Sequence, residues 1–355
     1  MKKIQLFIPY MTGFGGTETV ISNLYSEYKK IEQRDYQLKV TSIGGYKNGN
    51  WLKKVDNKHI IWLTNIPKVR FLQYLLLLPF ILFNEVKKDK PDVVISTEPF
   101  IWFLLYVIKK ITRSNYKVMS WYHFSLGIKK VRKFLIKPID GHLAISTGIS
   151  RQIINLGISP DKVKVIFNPI MRKEITVKRT ENAQPCKFSY VGRIMLDGQK
   201  NMRSILNCLS QIEGNWTLDV FGSGNNAEVK HYAEKLGISN KVHFRGFQED
   251  VWSNMDTMDC LLMTSKFEGL PMVLNEAISV GIPVMSFNCS TGPSDIINDK
   301  NGVLVPDKDE ASFVKGLQMF TNREICFQDT SEIKNSISKF YSDNYFLTFI
   351  KAIQE

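Results

Sequence analysis

Short apolar runs alternate with longer segments of helical periodicity along most of the chain. The runs at 4–8, 91–96 and 259–264 have the length of buried strands, and a turn and a helical pattern follow each of them. Strands that alternate with helices in this way form βαβ units of a parallel sheet. Because 355 residues exceed one typical hydrophobic core, the pattern predicts an α/β protein with two domains.

The polar, basic run 172–184 predicts the linker between these domains. We expect a first domain over 1–170, a second over 171–340, and a C-terminal helix over 341–355 that packs back on the first domain. One short repeat supports similar units in both halves. Leu156-Gly157-Ile158-Ser159 and Leu236-Gly237-Ile238-Ser239 each end a helix at glycine before a strand.

Two glutamates follow the apolar strand 259–264. Glu268 lies in the turn at the carboxyl end of this strand, where open α/β sheets bind ligands. Glu276 lies more than one turn inside the next helix, so its carboxylate points back toward the same crevice. Carboxylates accept hydrogen bonds from paired hydroxyls, which sugars and ribose present. The alternative is structural: Glu268 caps the helix and Glu276 is a solvated surface residue.

The start of that helix predicts an anion site. Gly269, Leu270 and Met272 contribute backbone amides at the helix N-terminus, and Pro271 suits the first helical position. An anion-binding helix end between two carboxylates predicts a site for a nucleotide sugar.

Further candidate groups follow other strands. In the second half, Arg193 and Lys200 are suited to bracket a diphosphate. Gly222 ends the next strand, and Gly246-Phe247 ends another where a flat base can lie against the backbone. Their shared position at the carboxyl ends of strands predicts one site.

The first half contributes a glycine turn and a histidine. Gly15-Gly16 follows the first strand and lets backbone amides approach a diphosphate. The turn lacks the G-x-G-x-x-G spacing of dinucleotide-binding proteins, which disfavours a nicotinamide cofactor. His123 follows the strand within 116–125, and its position makes a functional role as plausible as a structural one.

Charge is divided unevenly along the chain. Of the net +13, residues 1–168 hold 27 Lys and Arg against 11 Asp and Glu, a net +16, while residues 169–355 hold 20 against 23, a net −3. The first half therefore predicts an anionic partner: a membrane surface, an acidic glycan or nucleic acid. Nucleic acid is disfavoured because no recognised binding motif accompanies the charge.

Two segments of the first half bear on a membrane. The run 129–137 interleaves basic and apolar residues, which suits either an anionic membrane surface or a solvated helix face. The run 71–83 is almost entirely apolar, is too short to span a bilayer and is interrupted by Pro79. It is equally consistent with a buried core helix and an interfacial helix.

The termini and cysteines favour the cytoplasm. Met1-Lys2-Lys3 leads directly into a strand, which predicts that no signal peptide precedes it. No cysteine lies in a C-x-x-C pair or at metal-ligand spacing, so we expect buried, reduced thiols at five positions: Cys186, Cys208, Cys260, Cys289 and Cys326.

Taken together, these motifs resemble the retaining glycosyltransferases of family 4. The resemblance rests on Gly15-Gly16-Thr17-Glu18, His123, Gly192-Arg193, Lys200-Asn201, and Glu268 and Glu276 with seven residues between them. It extends in order over nearly the whole chain. Members of this family have two Rossmann-like domains that face each other across a cleft, the GT-B fold, and the resemblance implies this fold here.

The resemblance also implies residue roles. Glu276 holds the ribose hydroxyls, Glu268 faces hydroxyls of the donor sugar, and His123 lies beside the anomeric centre or the sugar's primary hydroxyl. Arg193 and Lys200 neutralise the departing diphosphate, so neither a metal nor another cofactor is expected. The remaining donor-binding positions are Gly15, Gly16, Gly222, Gly246, Phe247, Gly269, Leu270, Pro271 and Met272.

The implied activity is transfer of a hexose, galactose being the first expectation, from a UDP-sugar with retention of configuration. The expected acceptor is a lipid-linked glycan, a lipopolysaccharide or a surface polysaccharide at the inner face of the cytoplasmic membrane, which the basic first domain contacts peripherally. Alternative donors are UDP-glucose, UDP-N-acetylglucosamine and GDP-mannose. Alternative functions are a nucleotide-sugar epimerase and a non-catalytic membrane-bound partner of the same fold.

Overall fold

The computed structural model describes residues 1–13, 15–31, 35–181, 183–325, 327 and 329–354. The chain forms two compact units. Unit 1 comprises Met1–Met171 and Tyr341–Glu355, and unit 2 comprises Arg172–Phe340. The chain therefore passes between the units at 171/172 and 340/341, where the sequence analysis expects 170/171 and 340/341.

The elements of the first part of the chain alternate strand and helix. They are β1 (Lys2–Ile8), α1 (Gly16–Lys30), β2 (Tyr36–Ile43), β3 (Lys58–Ile61), α2 (Pro67–Asp89), β4 (Val93–Ser96), α3 (Pro99–Thr112), β5 (Lys117–Tyr122), α4 (Lys133–Ile136), β6 (Gly141–Ala144), α5 (Thr147–Asn155) and β7 (Val163–Val165). All neighbouring strands pair in parallel, in the order β3-β2-β1-β4-β5-β6-β7.

Unit 2 repeats this alternation. Its elements are β8 (Cys186–Val191), α6 (Met202–Leu209), β9 (Trp216–Phe221), α7 (Asn226–Lys235), β10 (Val242–Gly246), β11 (Cys260–Met263), α8 (Met272–Ser279), β12 (Val284–Asn288), α9 (Pro293–Ile296), β13 (Gly302–Pro306), α10 (Glu310–Thr321) and α11 (Thr330–Asn335). The strands are again parallel, in the order β10-β9-β8-β11-β12-β13. The last helix, α12 (Ser342–Gln354), belongs to unit 1 and packs against α1.

Both sheets have a point at which the strand order reverses. In unit 1 it lies between β1 and β4, and in unit 2 between β8 and β11. Loops that leave neighbouring strands in opposite directions open a crevice at the carboxyl ends, where ligands bind in this class of sheet. The central strands β4 and β11 are buried along their whole length, because helices cover both faces of the sheet.

Helix α2 differs from the expectation for 71–83. It extends beyond both ends of that run, and Pro79 lies inside it without ending it. The prediction that this element is too short to cross a bilayer is therefore wrong; within the described residues, α2 is the one helix that meets the length and hydropathy of a membrane span. The core-helix alternative is also wrong, because Leu76 and Phe80 are 62% and 69% exposed.

The run 129–137 contains only one short helical turn, α4. The rest of the run is irregular, and its basic side chains are exposed: Lys129, Lys130, Arg132, Lys133 and Lys137. The basic charge therefore lies on a surface loop rather than on one face of a helix.

The predicted linker 172–184 is part of unit 2. The amide of Val177 donates to the carbonyl of Val280 at 2.9 Å. Thr180 donates from its amide to the Asp259 carboxylate at 3.1 Å. Asp259 also accepts from the Lys187 amide at 2.7 Å and from the Arg323 guanidinium at 2.8 Å. Asp259 is therefore a buried acceptor that fixes the segment 172–184 to unit 2 and pairs with Arg323.

The cysteines agree with the expectation where the structure describes them. The free thiols of Cys186, Cys208, Cys260 and Cys289 are buried. Desolvation raises the pKa of Cys186, Cys208 and Cys289 to about 12. Cys326 lies outside the described residues.

We predict that Asp259→Ala destabilises unit 2 by roughly 3 kcal/mol, because it leaves the Arg323 guanidinium and two amides without their acceptor. The measurement is the free energy of unfolding in urea. The matched control is Asp197→Ala, which removes an exposed ion pair with Arg203 and should cost at most about 1 kcal/mol. Equal losses in the two variants would contradict the structural role of Asp259.

Candidate active site

Two predicted residues meet directly at the switch point of unit 2. The Lys200 ammonium donates to Glu268 Oε1 at 2.7 Å, and the two side chains are 17% and 11% exposed. Lys200 belongs to the loop after β8 and Glu268 to the loop after β11, which are neighbouring strands. The sheet order thus joins groups that lie 68 residues apart.

Asn201 fixes the first of these loops. It adopts the left-handed conformation, with φ of +50°, before the first residue of α6, a conformation that asparagine tolerates better than most residues. Its side-chain amide donates to the Thr264 carbonyl at 3.2 Å, and the Thr264 hydroxyl donates to the Asn201 carbonyl at 2.7 Å. This reciprocal pair joins the loops that carry Lys200 and Glu268. The sequence analysis includes Asn201 only in the family motif and assigns no role to Thr264, the last residue of the predicted strand.

Arg193 is linked to the same pair of loops. Its guanidinium donates to Gln199 Oε1 at 2.6 Å, and the Gln199 amide donates to the Phe267 carbonyl at 3.1 Å. Arg193 itself is exposed. The structure therefore brings Arg193, Lys200 and Glu268 together and leaves the arginine accessible from solvent.

Helix α8 begins without a capping side chain. Pro271 is the N-cap residue of this helix. The sequence analysis expects Pro271 to be the first helical residue, so this prediction is wrong by one position. The alternative that Glu268 caps this helix is wrong, because the Glu268 carboxylate bonds to Lys200. First-turn amides that have no cap, beside two cations, form a favourable site for an anion.

A second loop supports the turn before α8. The hydroxyl of Thr291 donates to the Glu268 carbonyl. Gly292 has φ of +102°, and a Cβ there would lie 2.5 Å from Pro271 Cδ and 3.1 Å from the Gly269 carbonyl. Gly292 is therefore required for the loop after β12 to pack against this turn, and the sequence analysis does not identify it.

Glu276 occupies a more apolar environment. The indole N–H of Trp252 donates to Glu276 Oε2 at 3.3 Å. The residue is half-buried, and desolvation raises the pKa of its carboxyl, with the Trp252 bond and the charge of Lys173 acting in the opposite direction. The alternative that Glu276 is a solvated surface residue is therefore wrong. Trp252 lies 24 residues from Glu276, and no local pattern identifies it as a partner.

Glycines at the carboxyl ends of β8, β9 and β10 bring these three strand ends close together. A Cβ on Gly222 would lie 1.8 Å from the Gly192 carbonyl oxygen, so no larger residue fits. The Gly222 amide donates to the Gly246 carbonyl at 2.8 Å. Gly246 faces open space, and Phe247 beside it is 62% exposed. An open aromatic ring beside exposed backbone is compatible with the predicted stacking of a base.

The glycine turn of unit 1 is held by Glu18. Its carboxylate accepts from the Gly13 amide at 2.9 Å, and a Cβ on Gly15 would lie 2.5 Å from Glu18 Oε2. Gly15 is the N-cap of α1, Gly16 is its first residue, and no side chain caps this helix. Gly13 in the same turn also has to be a glycine, because its φ is +88° and a Cβ there would lie 2.1 Å from the Asn48 carbonyl oxygen.

His123 lies just beyond β5 and is buried. Its ring packs against Trp121 with centroids 4.8 Å apart, and its Nε2 has no hydrogen-bond partner among the described residues. Burial lowers the pKa of His123 to about 3, so the imidazole is neutral at physiological pH. A neutral imidazole at a carboxyl edge can exchange a hydrogen bond with a hydroxyl but cannot supply a positive charge.

The described residues contain no cluster of three or more His, Cys, Asp or Glu side chains with the spacing of a metal site. What unit 2 does contain is an uncapped helix start, two cations and two carboxylates at one sheet edge. Two parallel-sheet α/β units are the architecture of the glycosyltransferase class that the sequence resembles.

Comparisons with known proteins agree with this class. The sequence model for Glycosyltransferase Family 4 matches residues 14–173, and the model for glycosyl transferases group 1 matches residues 171–337. The chain is 34% identical to the lipopolysaccharide 1,6-galactosyltransferase of Escherichia coli K12, over 99% of this chain and 98% of that protein. It is 33% identical to the Salmonella typhimurium enzyme of the same name, over the same shares.

A solved structure gives the same result. The apo form of the lipopolysaccharide outer core galactosyltransferase WaaB superposes with a TM-score of 0.89 at 32% identity, over 99% of each chain. The chain therefore belongs to glycosyltransferase family 4 and is a hexosyltransferase.

We predict that acidification destabilises unit 1 through its buried histidines. The folded pKa is about 3 for His123 and about 4 for His142, against an ordinary value of 6.5. The free energy of unfolding is therefore highest, with respect to these two groups, above pH 6.5. It falls below pH 6.5, because the unfolded chain binds protons that the folded histidines do not bind. At pH 5 each histidine should cost roughly 2 kcal/mol relative to pH 7.5.

The measurement is urea unfolding at the two pH values for wild type, His123→Gln and the exposed-site control His231→Gln. Between pH 7.5 and pH 5, the free energy of unfolding of His123→Gln should fall by roughly 2 kcal/mol less than that of wild type. The free energy of unfolding of His231→Gln should fall as much as that of wild type. If the free energy of unfolding of His123→Gln keeps the wild-type pH dependence, the pKa of His123 is the same in the folded and unfolded states, and burial does not lower it.

Proposed function

We propose that this protein transfers galactose from UDP-galactose, with retention of configuration, to a lipopolysaccharide-type acceptor. The observation that carries the proposal is the Lys200–Glu268 pair beside the uncapped start of α8. The names of the Escherichia coli and Salmonella relatives, both 1,6-galactosyltransferases, support the choice of sugar and acceptor class.

In this proposal, unit 2 binds the nucleotide. Glu276 accepts hydrogen bonds from the two ribose hydroxyls while Trp252 holds its second oxygen. The diphosphate binds at the first-turn amides of α8, close to Arg193 and Lys200. Lys200 has three N–H donors, so it can bond a phosphate oxygen while it retains Glu268. Glu268 then faces hydroxyls of the donor sugar.

The main catalytic contribution is stabilisation of the departing nucleotide. Negative charge on the diphosphate grows as the glycosidic bond breaks, and cations fixed in advance stabilise it without reorganisation. Arg193 and Lys200 take the role that a divalent ion has in other transferases, so we propose that no metal is needed. In unit 1, His123 and the amides at Gly15-Gly16 are proposed to contact the sugar and the phosphates.

The experiment is incubation with UDP-galactose and a lipopolysaccharide core that lacks terminal galactose, in the presence of EDTA. Proton NMR of the product should give an α-linkage, the configuration of the donor. UDP-glucose, UDP-N-acetylglucosamine and GDP-mannose are the competing donors. If another donor is transferred faster, the sugar assignment fails, and if none is transferred, the proposed function fails.

We predict that Glu276→Ala weakens UDP binding about 10-fold, because two hydrogen bonds to a charged acceptor are lost. Glu268→Gln should leave the Kd for UDP within about 2-fold of wild type and lower kcat at least about 100-fold, because its role concerns the sugar. Isothermal titration with UDP and steady-state kinetics measure the two effects. Glu249→Ala, an exposed carboxylate in the same unit, is the control. A normal Kd in Glu276→Ala would refute the ribose assignment.

We also propose that unit 1 contacts an anionic membrane surface on the cytoplasmic side. The outward face of α2 carries exposed large apolar side chains: Val69, Phe71, Leu72, Leu75, Leu76, Leu77, Phe80 and Phe83. The basic run 129–137 adds Phe134, 55% exposed, among its cations. An apolar stripe with nearby positive charge matches the boundary between acyl chains and anionic headgroups.

This contact predicts a difference between vesicles. Wild type should sediment with vesicles that contain phosphatidylglycerol and should bind pure phosphatidylcholine at least about 10-fold more weakly. Leu76→Asn/Phe80→Asn should lose most of the vesicle binding, whereas Leu347→Asn, which alters an exposed leucine on α12, should not. Unchanged sedimentation of the α2 variant would exclude this surface.

A further inference from the structure

An exposed tryptophan stands at the carboxyl edge of the unit 1 sheet. Trp62 follows β3 directly and is 56% exposed. It packs against Tyr46, which follows β2, with ring centroids 5.0 Å apart and an angle of 58° between the planes. The two rings therefore belong to neighbouring strand ends, at the edge where α/β sheets bind ligands.

One face of the indole is supported by backbone. A Cβ on Gly45 would lie 2.4 Å from Trp62 Cε3, so the six-membered ring lies directly on the glycine. The Gly44 amide donates to the Ile61 carbonyl at 2.8 Å, and the Met11 amide donates to the Gly45 carbonyl at 3.2 Å. The strand ends are thus held together beneath the ring. Support on one face and exposure on the other make Trp62 a rigid stacking surface.

A cation lies at the same edge. The Arg70 guanidinium stacks over the ring of Tyr10, which follows β1, at 3.6 Å from the ring centroid. Tyr10 is fixed in turn by its amide, which donates to the Tyr74 hydroxyl at 3.1 Å. Arg70 forms no ion pair with a carboxylate of the described residues. A guanidinium held flat on a ring, with its edge donors available, is suited to a phosphate or a carboxylate.

We infer that Tyr46, Trp62 and Arg70 form a binding site for an anionic saccharide, namely the acceptor of the proposed transfer. The C–H groups of a pyranose carry partial positive charge and lie well on the negative face of an indole. A phosphate or carboxylate next to the stacked ring would bond to Arg70. The identification of this saccharide as the acceptor rests on the proposed function. The binding of an anionic saccharide at this site does not require transfer.

Two features distinguish this site from an ordinary exposed tryptophan. Single exposed apolar residues are common on protein surfaces and need no explanation. Here, however, the rings of Tyr46 and Trp62, from the ends of the adjacent strands β2 and β3, share one sheet edge with the Arg70 guanidinium, which extends from α2 and stacks on Tyr10 after β1. The site therefore combines an apolar face for a sugar ring with a charge for its acidic group.

The test is saccharide binding without a donor. The probe is the phosphorylated core oligosaccharide released from lipopolysaccharide by mild acid, before and after alkaline phosphatase and, separately, after reduction of its carboxyl groups. Binding is measured by isothermal titration, and by the quenching of tryptophan fluorescence that Trp62→Tyr removes. Trp62→Leu should weaken binding of every form about 10-fold, while Trp62→Tyr should retain most of the affinity.

The charge is tested with Arg70→Gln. This variant should lose about 10-fold in affinity for the untreated oligosaccharide. For one of the two treated forms, Arg70→Gln and wild type should have equal affinity. The acidic group removed from that form, phosphate or carboxylate, is then the partner of Arg70. The Kd for UDP, which reports on unit 2, and the melting temperature should stay at wild-type values in all three variants.

Three results would overturn the inference: equal affinity of Trp62→Leu and wild type, an Arg70→Gln loss that is the same for every form, and loss of vesicle binding rather than saccharide binding in Trp62→Leu. The last would assign Trp62 to the membrane surface. If no donor is transferred but the oligosaccharide binds as described, the proposed function fails and the site stands.

Discussion

The candidate site of unit 2 depends on one largely buried ion pair, that of Lys200 and Glu268. Desolvation makes such pairs weak contributors to stability, and this one joins two loops that the Asn201–Thr264 bonds already hold together. Its consequence is a fixed ammonium beside an uncapped helix start. A diphosphate that enters this site meets donors whose positions are already set, so little reorganisation opposes its binding.

Unit 1 uses the same sheet geometry with a different distribution of polarity. Helix α2 turns its two acidic residues inward: Glu85 and Asp89 bond to Lys39, and the Gln5 amide donates to Asp89 at 3.0 Å. This polar network fixes the rotation of the helix about its axis. The apolar stripe on the opposite side is therefore exposed as a result of specific inward contacts, and not because the helix packs loosely.

The sequence predicts those parts of the fold that depend on local pattern. The βαβ alternation and the repeated helix ends at Gly157 and Gly237, both with positive φ, follow from neighbouring residues. Contacts between distant loops are not predictable in this way. Three such contacts depend on the order of strands in the sheet: the Trp252–Glu276 hydrogen bond, the packing of Gly292 on Pro271, and the hydrogen bond from Thr180 to Asp259. The orientation of α2 could not be predicted either, because apolar composition is the same for a buried and an exposed helix.

The two units also differ in what recognises a ligand. In unit 2 the candidate contacts are backbone amides, close-packed glycines and carboxylates fixed by the sheet, which suit a nucleotide diphosphate that is common to many donors. At the carboxyl edge of unit 1 the candidate contacts are side chains, namely Trp62 and Tyr46 on loops and Arg70 on α2. Substitution of such side chains leaves the strands beneath them intact. If these side chains bind the acceptor as we propose, acceptor preference can change at little cost in stability, whereas the proposed nucleotide site also depends on close-packed backbone at Gly192 and Gly222.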